Sequence, residues 1–429
     1  MAETKVLRVE GRDLFTGRPV RVTCYADIIA DVTPLDRPVA GGAGHDRDPG
    51  GAGNGPDDTE AGRLPWLAPG LVDLQINGYQ GIDFNDRNLT AEAVAEAARR
   101  LLAIGVTGFF PTVITNDDET IASIVRTIAD ACERDPLVGR TICGIHLEGP
   151  FISPEDGPRG AHDPEHVKPP DWERFCRWQR AAGGRIRLVT MSPEWEESAA
   201  FIRRCTRAGV TVSIGHTAAN TGQIRRAVQA GARLSTHLGN GAHALLPRHP
   251  NYIWDQLAED RLYACIIADG FHLPANVIKV FRKVKRQKLL LVSDAVALCG
   301  MPPGQYTTPV GGNVTLDASG RLFLTNRPQL LAGSAKTLPD GIRFMVNGGL
   351  ADLKTAWSMA SVRPAAVMRL DAARGLAPGS PADLVRFHWD NGAFKDVEVI
   401  KGGRPVQDGF VPGNRRIMMD PVQDDATRQ

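Results

Sequence analysis

The stretch RAGVTVSIGH (residues 207–216) contains the pattern that decides the fold. A glycine follows a segment of helical period, an apolar β-branched run comes next, and a histidine closes the run. A related order recurs in AIGVTGFF (103–110) and QAGARLSTHL (229–238). Glycine is common just past a helix C-terminus, and a continuous apolar run suits a parallel strand that is covered on both faces. Each stretch therefore predicts a helix followed by a buried parallel strand.

Eight such strands are predicted in the middle of the chain. They are 71–77, 105–113, 141–148, 186–192, 210–216, 232–237, 264–269 and 288–294. The intervening segments have helical signals, such as Thr90, which can cap a helix in residues 89–105. Eight strands alternating with helices predict an α/β fold, a (β/α)₈ TIM-like barrel. An open doubly wound sheet is the alternative, although no G-x-G-x-x-G motif follows the first strand.

The two ends of the chain differ from this alternating region. They contain short β-branched runs and turn residues, and we expect them to form one small β-sandwich domain from residues 1–64 and 375–429. Within it, residues 36–64 are rich in Gly, Asp and Pro with almost nothing to bury, which predicts a mobile insertion. The barrel then spans residues 65–374.

Composition excludes several classes of function. The net charge of +1 offers no basic field for nucleic acid and no polybasic patch for a membrane. No apolar stretch has the length of a signal peptide or a membrane span. The seven cysteines are scattered without a C-x-x-C pair, which predicts reduced thiols in a cytoplasmic protein.

Polar residues at the strand ends give the functional signal. The third, fifth and sixth predicted strands end in Glu148, His216 and His237. In a barrel these ends share one face, where active sites are built. Two imidazoles and a carboxylate form a common zinc set that leaves a fourth position open, and iron accepts the same set. A satisfied core histidine is the alternative for each position alone, but three such residues on separate strands favour one divalent metal ion.

Asp294 follows the eighth predicted strand at the same face. A carboxylate beside an activated water can take its proton and pass it to a leaving amine. The alternative is an aspartate that caps the next turn.

The loops after these strands contain a second polar group. Asn240, Gly241, Arg248 and His272 could hold a small anionic group such as a phosphate, with backbone N–H groups helping. Hydrogen bonds that only stabilise the loops are the alternative.

Several of these motifs together resemble the amidohydrolase superfamily, and within it the deacetylases of amino-sugar phosphates. The resemblance covers nearly the whole chain. It rests on PGLVDLQINGYQGIDFND (69–86), HLEGPFIS (146–153), RGAHDP (159–164), SIGHT (213–217), THLGN (236–240), IIADGFH (266–272), LVSDA (291–295), LAGSA (331–335) and GLAPGSPADLV (375–385).

The resemblance implies roles for individual residues. Glu148, His216 and His237 would bind the metal, Asp294 would be the general acid and base, and His162 would polarise the acetamide carbonyl. The substrate would contact Ala161, His162, Asn240, Gly241, Arg248, His272, Leu331, Ala332 and Gly333. The arginine comes from the neighbouring subunit in this family, which implies a homodimer.

The implied activity is hydrolysis of the acetamide of N-acetylglucosamine 6-phosphate to glucosamine 6-phosphate and acetate. Gln75 and Asn77 replace the H-x-H pair of two-metal relatives, which implies a single metal, although a hydrogen-bonded barrel floor explains them equally well. The family usually has Asn-Ala where this chain has Asn240-Gly241, so another N-acetylated amino sugar or N-acyl compound remains an alternative. A scaffold with this fold but no catalysis is the remaining one.

Overall fold

The computed structural model describes residues 6–35, 64–308 and 312–406. In chain order its strands are β1 (Val6–Asp13), β2 (Pro19–Tyr25), β3 (Ile28–Pro34), β4 (Trp66–Pro69), β5 (Leu71–Ile76), β6 (Gly78–Tyr79), β7 (Ile82–Asp83), β8 (Val106–Ile114), β9 (Ile145–Glu148), β10 (Ile186–Met191), β11 (Thr211–Ile214), β12 (Leu234–Ser235), β13 (Tyr263–Ile267), β14 (Leu289–Val292), β15 (Gly304–Thr308), β16 (Gly312–Leu316), β17 (Leu322–Leu324), β18 (Arg327–Leu331), β19 (Leu384–Asp390), β20 (Ala393–Lys401) and β21 (Arg404–Pro405).

The α-helices are α1 (Ala91–Ala103), α2 (Asp118–Arg134), α3 (Pro136–Thr141), α4 (Trp172–Ala181), α5 (Ser198–Arg207), α6 (Thr221–Ala230), α7 (Tyr252–Ala258), α8 (Ala275–Lys285), α9 (Leu338–Asn347), α10 (Leu353–Met359) and α11 (Val362–Val367). No helix in the described ranges is long and apolar enough to cross a membrane. The predicted mobile insertion at 36–64 lies outside the described residues, apart from Leu64.

Eight parallel strands form the barrel, in the order β14-β13-β12-β11-β10-β9-β8-β5. The sheet closes next to the site, where Asp294 N donates to Gln75 O at 2.9 Å and Ile76 forms a parallel bridge with Ala295. All six residues of β5 are buried, as expected for a strand covered on both faces. The predicted TIM-like barrel is therefore confirmed.

Helix α1 shows how the sequence determines where a helix begins and where the following strand takes over. The Thr90 side chain accepts a hydrogen bond from Ala93 N at 3.2 Å and caps the helix. Val94, Ala97 and Leu101 form its buried face. Gly105 has φ +86°, which lets the chain leave the helix and enter β8 without strain.

Both ends of the chain contribute to one separate, mostly β domain, as predicted. Its seven-stranded sheet has the order β21-β20-β19-β4-β1-β2-β3. Strand β4 pairs with β1 and with β19, so the chain passes through this sheet just before it enters the barrel at β5. The domain limits near residues 64 and 375 stay a prediction.

Two local features differ from the sequence-based expectation. The third strand begins at Ile145, not at residue 141, because Asp135 caps the short helix α3, which occupies the chain as far as Thr141. In addition, the chain between β14 and α9 forms an antiparallel sheet of four strands, β15–β18, that the apolar pattern of the sequence does not predict. We call this four-stranded sheet the excursion sheet.

Candidate active site

The predicted metal ligands lie at the carboxyl ends of three barrel strands, β9, β11 and β12. Glu148 is the last residue of β9, and His216 and His237 lie two residues beyond β11 and β12. His216 and His237 have φ values of 49° and 25°, and Asp294 after β14 has φ 48°. Non-glycine residues seldom adopt this left-handed backbone, and where it occurs it is often found at functional sites. All four side chains line one cavity.

The three ligand atoms form a small triangle. His237 Nε2 lies 3.1 Å from Glu148 Oε1 and 3.0 Å from His216 Nε2, and His216 Nε2 lies 3.4 Å from Glu148 Oε1. Ligands of a tetrahedral ion with bonds of about 2.0 Å are about 3.3 Å apart, so the spacing fits one small divalent cation.

A hydrogen bond to the His216 ring also suits a metal site. The Nδ1 atom of this ring lies 2.9 Å from the carbonyl oxygen of Pro158. A carbonyl can only accept, so Nδ1 donates, and the other ring nitrogen, Nε2, is the one that could bind a metal. Metal-binding histidines are commonly oriented in this way by a second hydrogen bond. His237 Nδ1, by contrast, is buried and has no hydrogen-bond partner among the described residues.

Glu148 is held as an anion. Burial raises its pKa, but hydrogen bonds and charge interactions with His216 and His237 outweigh burial and hold the pKa well below the usual range. Gln75 Nε2 donates to Glu148 Oε1 at 2.8 Å. Gln75 therefore orients the carboxylate, which can neutralise part of the charge of a divalent cation.

Asp294 lines the same cavity as Glu148, His216 and His237. Asn77 Nδ2 donates to its Oδ1 at 2.7 Å. Burial, aided by the charge of Glu148, raises the pKa of Asp294 to about 6. A carboxylate with a pKa near neutrality can both accept and return a proton.

His162 comes from the loop after β9. One ligand atom each from Glu148, His162 and His216 lies within 4.8 Å of the others. His162 Nδ1 is 2.7 Å from Thr115 Oγ1, and its ring centroid is 4.4 Å from that of His216. Burial and the neighbouring His216 lower the pKa of His162 to about 3. A neutral imidazole can donate to a carbonyl oxygen without carrying charge into the site.

The cavity has a volume of about 450 Å³. Its lining includes eight of the residues predicted to contact substrate: Ala161, His162, Asn240, Gly241, His272, Leu331, Ala332 and Gly333. Arg248, the ninth, is exposed and is not among the described residues that line this cavity.

Steric contacts explain why residue 241 is a glycine. Gly241 has φ +55°, and a Cβ added there would lie 2.8 Å from His216 Nδ1. A larger residue would push against the His216 ring, so the Asn240-Gly241 pair belongs to the packing around this histidine.

Sequence reasoning missed several residues that shape the site. Thr115 holds His162, and the excursion sheet adds Thr308, Val314, Leu322, Gln329 and Leu330 to the lining. Asp269 Oδ2 lies 2.7 Å from His272 Nδ1, and its Oδ1 accepts from the backbone N–H groups of Phe271 and His272. The position of Asp269 at the end of the seventh strand, three residues before His272, is the signal that could have revealed its role.

A parallel barrel with a Glu–His–His cluster and a carboxylate at the carboxyl ends of its strands defines a hydrolase of the metal-dependent barrel class. A family model, the amidohydrolase family, matches residues 66–416. The chain belongs to the amidohydrolase family.

Individual relatives show which members of the amidohydrolase family have similar sequences. The chain is 34% identical over 332 residues to the N-acetylglucosamine-6-phosphate deacetylase of Bos taurus, covering 74% of this chain and 78% of that protein. It is 30% identical over 342 residues to the N-acetylgalactosamine-6-phosphate deacetylase of Escherichia coli O157:H7, covering 78% and 86%.

A solved structure is also similar. It is the N-acetyl-D-glucosamine-6-phosphate deacetylase of Mycobacterium smegmatis in complex with N-acetyl-D-glucosamine-6-phosphate. It matches with a TM-score of 0.76 and 29% identity, covering 91% of this chain and 95% of that chain.

Proposed function

We propose that this enzyme hydrolyses the acetamide of N-acetylglucosamine 6-phosphate and releases acetate and glucosamine 6-phosphate. The observation that carries the proposal is the triangle of Glu148, His216 and His237 with Asp294 in the same cavity. The relatives that share this fold at 30–34% identity are named for this reaction or for its galactosamine counterpart.

Glu148, His216 and His237 would hold one divalent ion, for which we propose zinc, with iron as the alternative. A divalent ion in such a site supplies Lewis acidity, which lowers the pKa of water and polarises a carbonyl. Mixed nitrogen and oxygen ligands at this spacing suit zinc better than magnesium or calcium, which prefer oxygen.

The remaining chemistry belongs to side chains of this chain. Asp294 accepts the proton of the attacking water and then donates it to the departing amine, and Asn77 fixes the orientation of the carboxylate throughout. His162 donates a hydrogen bond to the acetamide oxygen as negative charge develops there. Thr115 keeps the His162 ring in place for this contact.

The phosphosugar would lie along the loops next to Glu148, His216 and His237. We propose that His272 and the Asn240-Gly241 backbone hold its polar groups, with Leu331, Ala332 and Gly333 beside the sugar. Because Arg248 is exposed and away from its own cavity, it is available to a neighbouring active site, and we propose a homodimer on that basis. The seven cysteines are all free thiols, which supports a cytoplasmic location.

A second candidate substrate is N-acetylgalactosamine 6-phosphate. The relative named for that deacetylation is 30% identical to this chain, against 34% for the glucosamine relative. Other N-acyl compounds are a weaker candidate, because the loop residues provide donors suited to a phosphate.

A panel assay tests the proposal. Acetate release is measured with N-acetylated glucosamine, galactosamine and mannosamine, each with and without the 6-phosphate, using zinc-loaded protein. We expect kcat/KM for N-acetylglucosamine 6-phosphate to exceed that for the unphosphorylated sugar at least a hundredfold. Preference for the galactosamine epimer would support the second candidate, and absence of acetate from every sugar would exclude both.

A further inference from the structure

A second cavity, of about 560 Å³, lies outside the candidate active site. It is bounded by Leu316 of the excursion sheet, by Lys336 between β18 and α9, by Trp357 of α10, and by Val385 and Phe394 of the terminal β domain. Its size is within the range of small-molecule sites, roughly 300–1,000 Å³.

The walls of this cavity are largely apolar and firmly packed. Trp357 stacks on Phe387 with ring centroids 4.9 Å apart, and Phe394 meets Trp357 edge-on at 5.9 Å. Trp357 Nε1 also donates to Pro69 O at 2.9 Å. These contacts fix the aromatic wall, so the cavity is preformed.

Two donors in the lining lack an acceptor. Tyr79 is 4% exposed, and its hydroxyl receives a hydrogen bond from Gln80 Nε2 at 3.4 Å, but no described residue accepts the phenolic proton. Lys336 Nζ lies against the backbone of Gly320, where any side chain would collide with it, and it has no hydrogen-bond or ion-pair partner in the part of the chain that the structure describes. A buried donor without an acceptor is costly, so Tyr79 favours a ligand with an acceptor group, and the half-buried ammonium of Lys336 is available to pair with it.

The two acidic residues that line the cavity, Asp317 and Asp340, already accept hydrogen bonds. Asp317 accepts from Ser319 Oγ and from the backbone N–H of Arg321 within its own turn. Asp340 accepts from Thr337 and Arg343. The lining thus has three cations, Lys336, Arg343 and Lys395, against these two carboxylates.

We propose that this cavity binds a small organic anion, with its apolar body against Trp357 and Phe394 and its anionic group on Lys336 and Tyr79. The same chain segment borders the active site. Gly333 lines the candidate active site three residues before Lys336, and Ser334 O accepts from Val296 N at 3.0 Å, two residues after Asp294. An occupant of the second cavity thus contacts a segment that shapes the catalytic site, and it modulates turnover.

Fluorescence titration of the full metal-loaded protein tests the site. The probes are anilinonaphthalene sulfonate, which is anionic, and N-phenylnaphthylamine, its neutral analogue. We expect one site for the anion, an at least tenfold loss of its affinity in Lys336→Met, and less than a twofold change for the neutral probe. Lys283→Met, at an exposed position on α8, is the matched control and should leave both affinities unchanged. Equal anion affinity in wild type and Lys336→Met would overturn the proposal.

A cavity-filling variant checks the location independently. Ala335→Phe adds a ring to the lining and should abolish binding of both probes. Unchanged binding in Ala335→Phe would overturn the assignment to this cavity. The titrations use no sugar substrate, so their outcome does not depend on the deacetylase proposal. Saturating anion should also change KM for the sugar phosphate at least twofold in wild type but not in Lys336→Met, and an unchanged KM would overturn the coupling.

Discussion

At the scale of single residues, three residues of the candidate site have an unusual backbone conformation. His216, His237 and Asp294 all have positive φ, a conformation that costs of order 1–3 kcal/mol for a non-glycine residue. Surrounding contacts hold them there, such as His216 Nδ1 on Pro158 O and Asn77 on Asp294. Local propensity would not predict these conformations, whereas the chemistry of the side chains at the strand ends did predict the cluster.

Glu148 and His146 lie two residues apart on β9, and they should behave differently when changed. Glu148→Gln removes the anionic ligand, so we expect metal content below a tenth of the wild-type value. His146 bonds Thr190 Oγ1 at 2.7 Å and its Nδ1 is 3.4 Å from Thr112 Oγ1. His146→Gln should keep the metal and lose about 1–3 kcal/mol of unfolding free energy. Elemental analysis and urea unfolding of both variants check this, and full metal retention in Glu148→Gln would exclude that ligand role.

Asp269 should act through His272. Its carboxylate can only accept from His272 Nδ1, which fixes the orientation of the ring. We expect Asp269→Asn to raise KM for the sugar phosphate about tenfold with a small change in kcat. In the double variant with His272→Asn the two effects should not add. Additive effects would show that Asp269 acts on something other than His272.

We expect the buried carboxyl group of Asp73 to make the free energy of unfolding depend on pH. Burial in the barrel raises its pKa from 3.8 to about 7. Between these values the native state keeps a proton that the unfolded state releases, so stability falls as pH rises through this window, by about 1.4 kcal/mol per pH unit. Asp73→Asn should therefore gain stability relative to wild type from pH 5 to pH 8.

Unfolding midpoints of both proteins at pH 5 and pH 8 check the Asp73 prediction. Asp130→Asn on α2 is the control, because it removes a carboxylate outside the barrel interior. A constant difference between Asp73→Asn and wild type at the two pH values would contradict the raised pKa.

At the scale of elements, the barrel could be predicted well from the sequence. All eight predicted strands exist, because long apolar runs ended by glycine or polar residues leave few alternatives. The predicted limits of the strands were less accurate. The third strand begins at Ile145, because Asp135 and Pro136 begin helix α3 in the segment just before it.

The excursion sheet could not be predicted from apolar runs. Strand β15 alternates between half-buried and exposed residues, and four of the five residues of β18 are exposed. Such strands contribute little to the core, so their sequence lacks the hydrophobic signal that marks barrel strands. Their contribution to the active-site lining became apparent only in the structure.

Lys401, the last residue of β20, links the terminal sheet to the barrel through hydrogen bonds. Its ammonium donates to Thr107 O at 2.8 Å, to Arg140 O at 3.0 Å and to Asp383 Oδ2 at 2.7 Å. Lys401→Met removes the cation beside the largely buried Asp383 carboxylate and leaves it the Gly402 N–H as donor, and we expect a loss of about 3 kcal/mol. Adding Asp383→Asn should recover part of the loss in a urea unfolding experiment. A double variant less stable than Lys401→Met would contradict this explanation.

At the scale of the whole molecule, the barrel strands position Glu148, His216, His237 and Asp294, the loops beyond them line the cavity, and Lys401 bonds the terminal sheet to the barrel. Sequence reasoning reached Glu148, His216, His237 and Asp294, because strand ends of a barrel converge. Partners such as the Pro158 carbonyl were beyond its reach, because any residue type can supply a backbone oxygen.

The central claim is that Asp294 moves the proton in a metal-dependent amide hydrolysis. The most direct test measures metal content and acetate release from N-acetylglucosamine 6-phosphate in Asp294→Asn beside wild type. We predict that the variant keeps its metal and loses at least a thousandfold in kcat. Near wild-type turnover in the variant would contradict the account.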